Sequence, residues 1–152
     1  MNRILCAVRG GPDSDKTIAN AIAFAKKERV RLVLLYVINL GRFLASSGDR
    51  MESMAIELRR MGEYVLLMAQ AMAAREGVVA DTFVREGGVL EEIFAICQEM
   101  GIDSIVMGKP LPDSDENCFS FEKLETFALK MKDDYGVKII FAEEELMQKE
   151  LR

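Results

Sequence analysis

Residues 30–38 read Val-Arg-Leu-Val-Leu-Leu-Tyr-Val-Ile, and the part from Leu32 to Ile38 is the longest apolar run in the chain. A strand with one face in water alternates apolar and polar side chains. A short unbroken run of Leu and β-branched residues is instead a strand buried on both faces. The run is far too short to cross a bilayer as a helix, which takes about 20 residues. Burial on both faces demands a covering layer on each side. Parallel sheets meet that demand, because helical crossovers connect their strands.

The same punctuation repeats on either side of this run. Upstream, residues 3–8 (Arg-Ile-Leu-Cys-Ala-Val) form a second such strand, broken by Gly10-Gly11-Pro12. A helix follows, capped by Asp13 or Ser14, with Ile18, Ala21, Ile22 and Ala25 on one face. Downstream, residues 39–48 read as a loop and 49–76 as a long helix. In that helix Met51, Met54, Leu58, Met61, Val65, Met68 and Met72 recur at steps of three and four. Such a stripe reads first as the face buried on a sheet, and second as a soft binding surface. Tyr64, Leu67 and Ala71 add apolar surface on another side, which suits a second buried contact in a dimer. Gly77 stops the helix.

Strands are then expected at residues 78–84, 104–107 and 137–141. Between them lie helices marked by Leu90, Ile93, Phe94 and Cys97, ended by Gly101, and by Phe121, Leu124, Phe127, Ala128 and Met131, ended by Gly136. Five buried strands alternating with helices, joined by right-handed crossovers, make a doubly wound α/β domain with helices on both faces of a parallel sheet. It spans residues 1–142. Residues 143–152 are expected to be a charged helical tail.

The chain has 152 residues, one domain's worth, and can bury roughly 70% of its unfolded surface without disulfides or metals. Lys plus Arg is 20 and Asp plus Glu is 25, a net charge of −5 that argues against nucleic acid and anionic membranes as partners. The three cysteines, Cys6, Cys97 and Cys118, form no C-x-x-C pair. A reducing cytoplasm is the expected compartment, and the opening Met1-Asn2-Arg3 lacks the pattern of a secretory leader. Histidine is absent. That removes Ser-His-Asp and Cys-His catalysis and His metal sites, and no enzymatic constellation stands out. Asp113-Ser114-Asp115-Glu116-Asn117 opens like a calcium loop, but Cys118 stands where such a loop needs Gly and Leu124 where it needs Glu. It reads as a solvated acidic loop, and no metal is expected.

Ile4-Leu5-Cys6-Ala7-Val8, the helix after it and Leu34-Leu35-Tyr36-Val37 resemble the opening of a universal stress protein domain. Ile102-Asp103-Ser104-Ile105-Val106-Met107-Gly108 is similar to that family's strand ending in Val-Met-Gly ahead of its ligand loop. The resemblance runs from Arg3 to about Ala142. It implies a five-stranded parallel sheet of order 3-2-1-4-5, an adenine nucleotide alpha hydrolase-like fold, in a cytoplasmic, commonly homodimeric, stress-response protein. ATP-binding members carry an Asp after the first strand. They also have a loop of Gly, two residues, Gly, nine residues, Gly and Ser or Thr. Here Arg9 replaces the Asp, Gly108 supplies the first glycine and Leu111 replaces the second. With a short deletion, Phe119-Ser120 aligns with the final pair, keeping only Ser120. Backbone N–H groups freed by glycines are what reach phosphate oxygens. Pro110, Leu111 and Pro112 work against that, so no ATP cofactor is expected.

In the implied order, the direction of winding reverses between the first and fourth strands, and ligands bind at the carboxyl ends there. The candidate cleft comprises Val8, Arg9, Gly10, Gly11, Val37, Met107, Gly108, Lys109 and Ser120. Arg9 and Lys109 converge on it as an anion site, the alternative to a module without nucleotide. Asp113, Asp115 and Glu116 on the adjacent loop offer self-neutralisation instead, and that reading is preferred. Val137, Lys138, Ile139, Ile140 and Phe141 form an apolar edge strand, the expected homodimer contact.

Overall fold

The computed structural model describes residues 3–8, 12–39, 51–108 and 121–142. Arg9, Gly10, Gly11, the expected loop at 39–48 beyond Asn39, the acidic loop with Lys109 and Ser120, and the tail at 143–152 lie outside the described residues. The elements are β1 (Arg3–Val8), α1 (Pro12–Glu28), β2 (Arg31–Ile38), α2 (Met51–Arg75), β3 (Ala80–Glu86), α3 (Val89–Met100), β4 (Ser104–Gly108), α4 (Phe121–Tyr135) and β5 (Lys138–Ala142). All four strand pairs are parallel, and the sheet order is β3-β2-β1-β4-β5. Among the described residues no helix is long and apolar enough to cross a membrane.

The sheet separates two cores. On one face Ile4, Cys6, Leu32, Leu34 and Tyr36 meet Ile18, Ala21, Ile22 and Ala25 of α1 and Leu66, Ala69 and Ala73 of α2. On the other, Leu5, Val33, Leu35 and Ile105 meet Ile93, Ile96 and Cys97 of α3 and Met131 of α4. Within β1, β2 and β4 successive residues feed the two cores alternately while the core residues on both faces are apolar, which is why these strands show no alternation in sequence.

Each helix ends in the same way. Val30, Val78, Ile102 and Val137 donate their backbone N–H to the carbonyls of Ala25, Ala73, Cys97 and Met131 respectively. The first three bonds span six residues, the Schellman closure, and the last, from Val137 to Met131, spans seven. The residue before each donor is left-handed: Arg29 at φ 57°, Gly77 at 75°, Gly101 at 64° and Gly136 at 68°. The closure corrects the third strand. The expected start at 78 becomes Ala80, because Val78 is spent on capping α2. The start of α1 is corrected as well. Pro12 opens the helix and Asp13 and Ser14 lie within it, since the fixed φ of proline and its missing N–H suit a first helical turn.

The methionine stripe of α2 is the larger correction. Met61 and Met68 are exposed, and Leu58, Val65 and Met72 only flank the core. The residues against the sheet are Gly62, Leu66, Ala69 and Ala73. A methyl group on Gly62 would sit 2.5 Å from Cδ1 of Tyr36. Small side chains let the helix axis come close to the strands, and this close approach turns the methionines to the helix flank and beyond.

Candidate functional site

The sheet reverses its winding between β1 and β4. Ala7 lies opposite Met107 in their register. The next residues, Val8 and Gly108, end their strands side by side, and on β2 Tyr36 lies opposite Val8, with Val37 following it. Four of the nine candidate residues are therefore described, at the carboxyl ends of three adjacent strands. Val8 and Met107 are buried, and their side chains enter opposite cores, with Val37 on the side of Met107. At this end of the sheet the side chains of Val8, Val37 and Met107 are taken up by packing in the two cores. Arg9, Gly10, Gly11, Lys109 and Ser120 lie outside the described residues.

The first turns of α1 reach the same place. Ser14 and Thr17 are buried polar residues of its sheet-facing side. A methyl group on Gly108 would lie 3.3 Å from Oγ1 of Thr17. Glycine at the end of β4 therefore lets the start of α1 approach the strand. Sequence reasoning named Ser14 only as a possible cap and missed Thr17. The signal was there: Ser14 and Thr17 stand three apart and lead into the apolar face of Ile18, Ala21 and Ala25, where a polar residue is out of place. A helix start carries unpaired N–H groups and the positive end of the helix dipole, so this corner of the fold favours negative charge.

The described ion pairs lie elsewhere. Lys26–Glu76 at 2.8 Å, Arg31–Asp81 and Arg59–Glu86 at 3.1 Å, and Arg85–Glu99 are exposed surface contacts. Water and salt screen such exposed pairs, so they add little to stability. The buried thiols are poor nucleophiles, because loss of solvation pushes both Cys6 and Cys97 up to about 12. An open groove lined by Arg59, Glu63, Leu66, Leu67, Thr82 and Val84 runs between α2 and the edge strand β3, away from the switch point.

Known proteins share this arrangement. Universal stress protein YxiE of Bacillus subtilis is 28% identical over 115 residues, covering 70% of this chain and 78% of that protein. The crystal structure of a universal stress protein family member from Burkholderia pseudomallei is similar at TM-score 0.69 and 23% identity, over 91% of this chain and 93% of that one. The universal stress protein from Archaeoglobus fulgidus in complex with dAMP is similar at TM-score 0.59 and 14% identity, over 94% of this chain and 98% of that one. Such low identities speak for the fold alone. Sequence carries the rest: the family model described as the universal stress protein family matches residues 1–110, well over half of the 152. With the five-stranded order, the Val-Met-Gly ending of β4 and that match in hand, this chain belongs to the universal stress protein family.

Proposed function

We propose that this chain is a binding or signalling module of the cytoplasmic stress response that acts without catalysis and without ATP, as a homodimer. One observation carries the reading. The position after β1 is Arg9, where ATP-binding members of the family have Asp, and the loop after Gly108 has Leu111 in place of its next glycine. A guanidinium in place of a carboxylate inverts the charge offered there. Loss of glycine denies the backbone its close approach to phosphate. Family membership supports the stress-response role.

A second reading is a nucleotide or other anion site of altered design, using Gly10, Gly11, Lys109 and Ser120. The dAMP complex of the Archaeoglobus fulgidus relative favours it, as does the start of α1 beside Gly108. Native mass spectrometry of the purified protein and calorimetric titration with ATP and AMP separate the two. The first reading expects no co-purified nucleotide and no heat of ATP binding in the micromolar range. It also expects Arg9→Asp alone to leave ATP unbound, because the loop would still lack its donors. Micromolar ATP binding by the unaltered chain would overturn it.

A further inference from the structure

Among the described residues helix α2 is packed on one side only. Opposite its contact with the sheet, Tyr64 is 65% exposed and Met61 and Met68 are 53% exposed. The spacing on this outer side is regular. Glu57, Met61, Tyr64, Met68, Ala71 and Arg75 follow at steps of four, three, four, three and four, and all six are exposed. That is the a/d spacing of a two-helix seam. The seam is apolar in the middle and carries one charge at each end, of opposite sign.

Two copies brought together about a two-fold axis at the level of Leu66 run antiparallel. Glu57 then faces the partner's Arg75, Met61 faces the partner's Ala71 and Tyr64 faces the partner's Met68. Each contact occurs twice, and each joins an a position to a d position, the layering an antiparallel pair requires. A parallel pair would set Glu57 against the partner's Glu57 and Arg75 against the partner's Arg75, a repulsion at each end. Among the described residues Glu57 and Arg75 take part in no ion pair within the chain, whereas neighbouring Arg59 is committed to Glu86. We propose that the outer face of α2 docks a second copy of this chain as an antiparallel helix pair, its register fixed by the two Glu57–Arg75 contacts. The contact is isologous and closes at two copies. It is independent of nucleotide binding.

Charge reversal tests the proposal, because both end positions are exposed and their substitution leaves the core intact. Sedimentation equilibrium across the micromolar range is measured for the unaltered chain, Glu57→Arg, Arg75→Glu, the double variant, and an equal mixture of the two single variants. Thermal melts check that each remains folded. Each single reversal turns two attractions into two repulsions and is expected to weaken self-association about tenfold. The double variant restores both attractions, and so does the mixture, in which the two single variants pair with each other. The charges lie on the helix covering β2 and β3, at the far side of the sheet from β5, so an assembly through β5 would not respond to them. Self-association indifferent to the single reversals, a double variant as weak as the singles, or an unaltered chain that stays monomeric throughout would overturn the proposal.

Discussion

Gly62 occupies a helix interior, where glycine costs about 1 kcal/mol relative to alanine. Its position is explained by the Tyr36 ring, which would lie 2.5 Å from an added methyl group. Gly62→Ala should therefore lower stability by about 1–2 kcal/mol despite its better propensity, because overpacking outweighs the backbone term. In a Tyr36→Ala background the same change should be neutral or stabilising, a non-additivity that denaturant melts measure directly. No sequence rule reveals this contact, since it depends on which side chain stands across the helix–sheet interface. The two core thiols make a second residue-scale case. Burial raises Cys6 and Cys97 from 9.0 to about 12, so the folded chain binds their protons more tightly than the unfolded chain does. Stability from this source is intact below pH 9 and is lost as pH rises from about 9 towards 12. In a Cys118→Ser background, Ellman's reagent at pH 8 should label neither thiol until denaturant is added. Labelling of the native protein would show that the cores open far more readily than their packing implies.

Most elements were legible because their stop signals are chemical. Gly77, Gly101 and Gly136 mark left-handed caps, and each is followed at once by Val or Ile, which seals the end of the helix. The end of α1 was harder to read, because Arg29 holds the same conformation at φ 57° without being glycine. A side chain there carries a cost on the order of 1 kcal/mol. Arg29→Gly should raise stability by about 0.5–1 kcal/mol, read as a higher denaturant midpoint with an unchanged slope. A lower midpoint would mean that the Arg29 side chain contributes more than its backbone costs. The facing of α2 was misread for a geometric reason. Methionines spaced three and four apart follow a period of 3.5, whereas the helix turns every 3.6 residues and contacts the sheet through its smallest side chains. Hydrophobicity alone then points to the flank. The candidate site was legible to the same degree. Strand order and the Val-Met-Gly ending placed Val8, Met107 and Gly108 together. The faces that Val8 and Met107 point to could not be read, because strands buried on both sides show no alternation. Thr17 was missed, and Ser14 read only as a cap, because attention to apolar faces passes over polar residues within them.

At the scale of the whole molecule the open question is how the sheet edges are covered. Among the described residues β5 pairs with β4 on one side only, Ile139 lying opposite Ile105 and Ile140 opposite Val106. Side chains of this strand and of the residue before it are already placed: Val137 and Ile139 pack into the α3/α4 core and Ile140 into the α1/α2 core. Among the described residues the edge still offers its outer row of backbone N–H and C=O groups. Exposed Lys138 is the one charge among Val137, Lys138, Ile139, Ile140 and Phe141. Such a row invites uncontrolled pairing unless something closes it. A second copy of β5 laid antiparallel across a two-fold axis closes it and stops at two. The contact would therefore rest on main-chain hydrogen bonds, with apolar area secondary, and would resist salt. Proline tests that directly, because it removes a backbone donor and is poorly accommodated in paired strands. In a Glu57→Arg background, which weakens the α2 contact, ultracentrifugation at micromolar concentration should find a dimer, and monomer once Ile139→Pro is added, with thermal melts confirming that each variant still folds. Because Ile139 also packs inward, Lys138→Pro serves as the second variant, at an exposed position of the same strand. A Glu57→Arg chain that stays monomeric, or a dimer in that background that survives each proline, would mean that the β5 edge is closed in some other way.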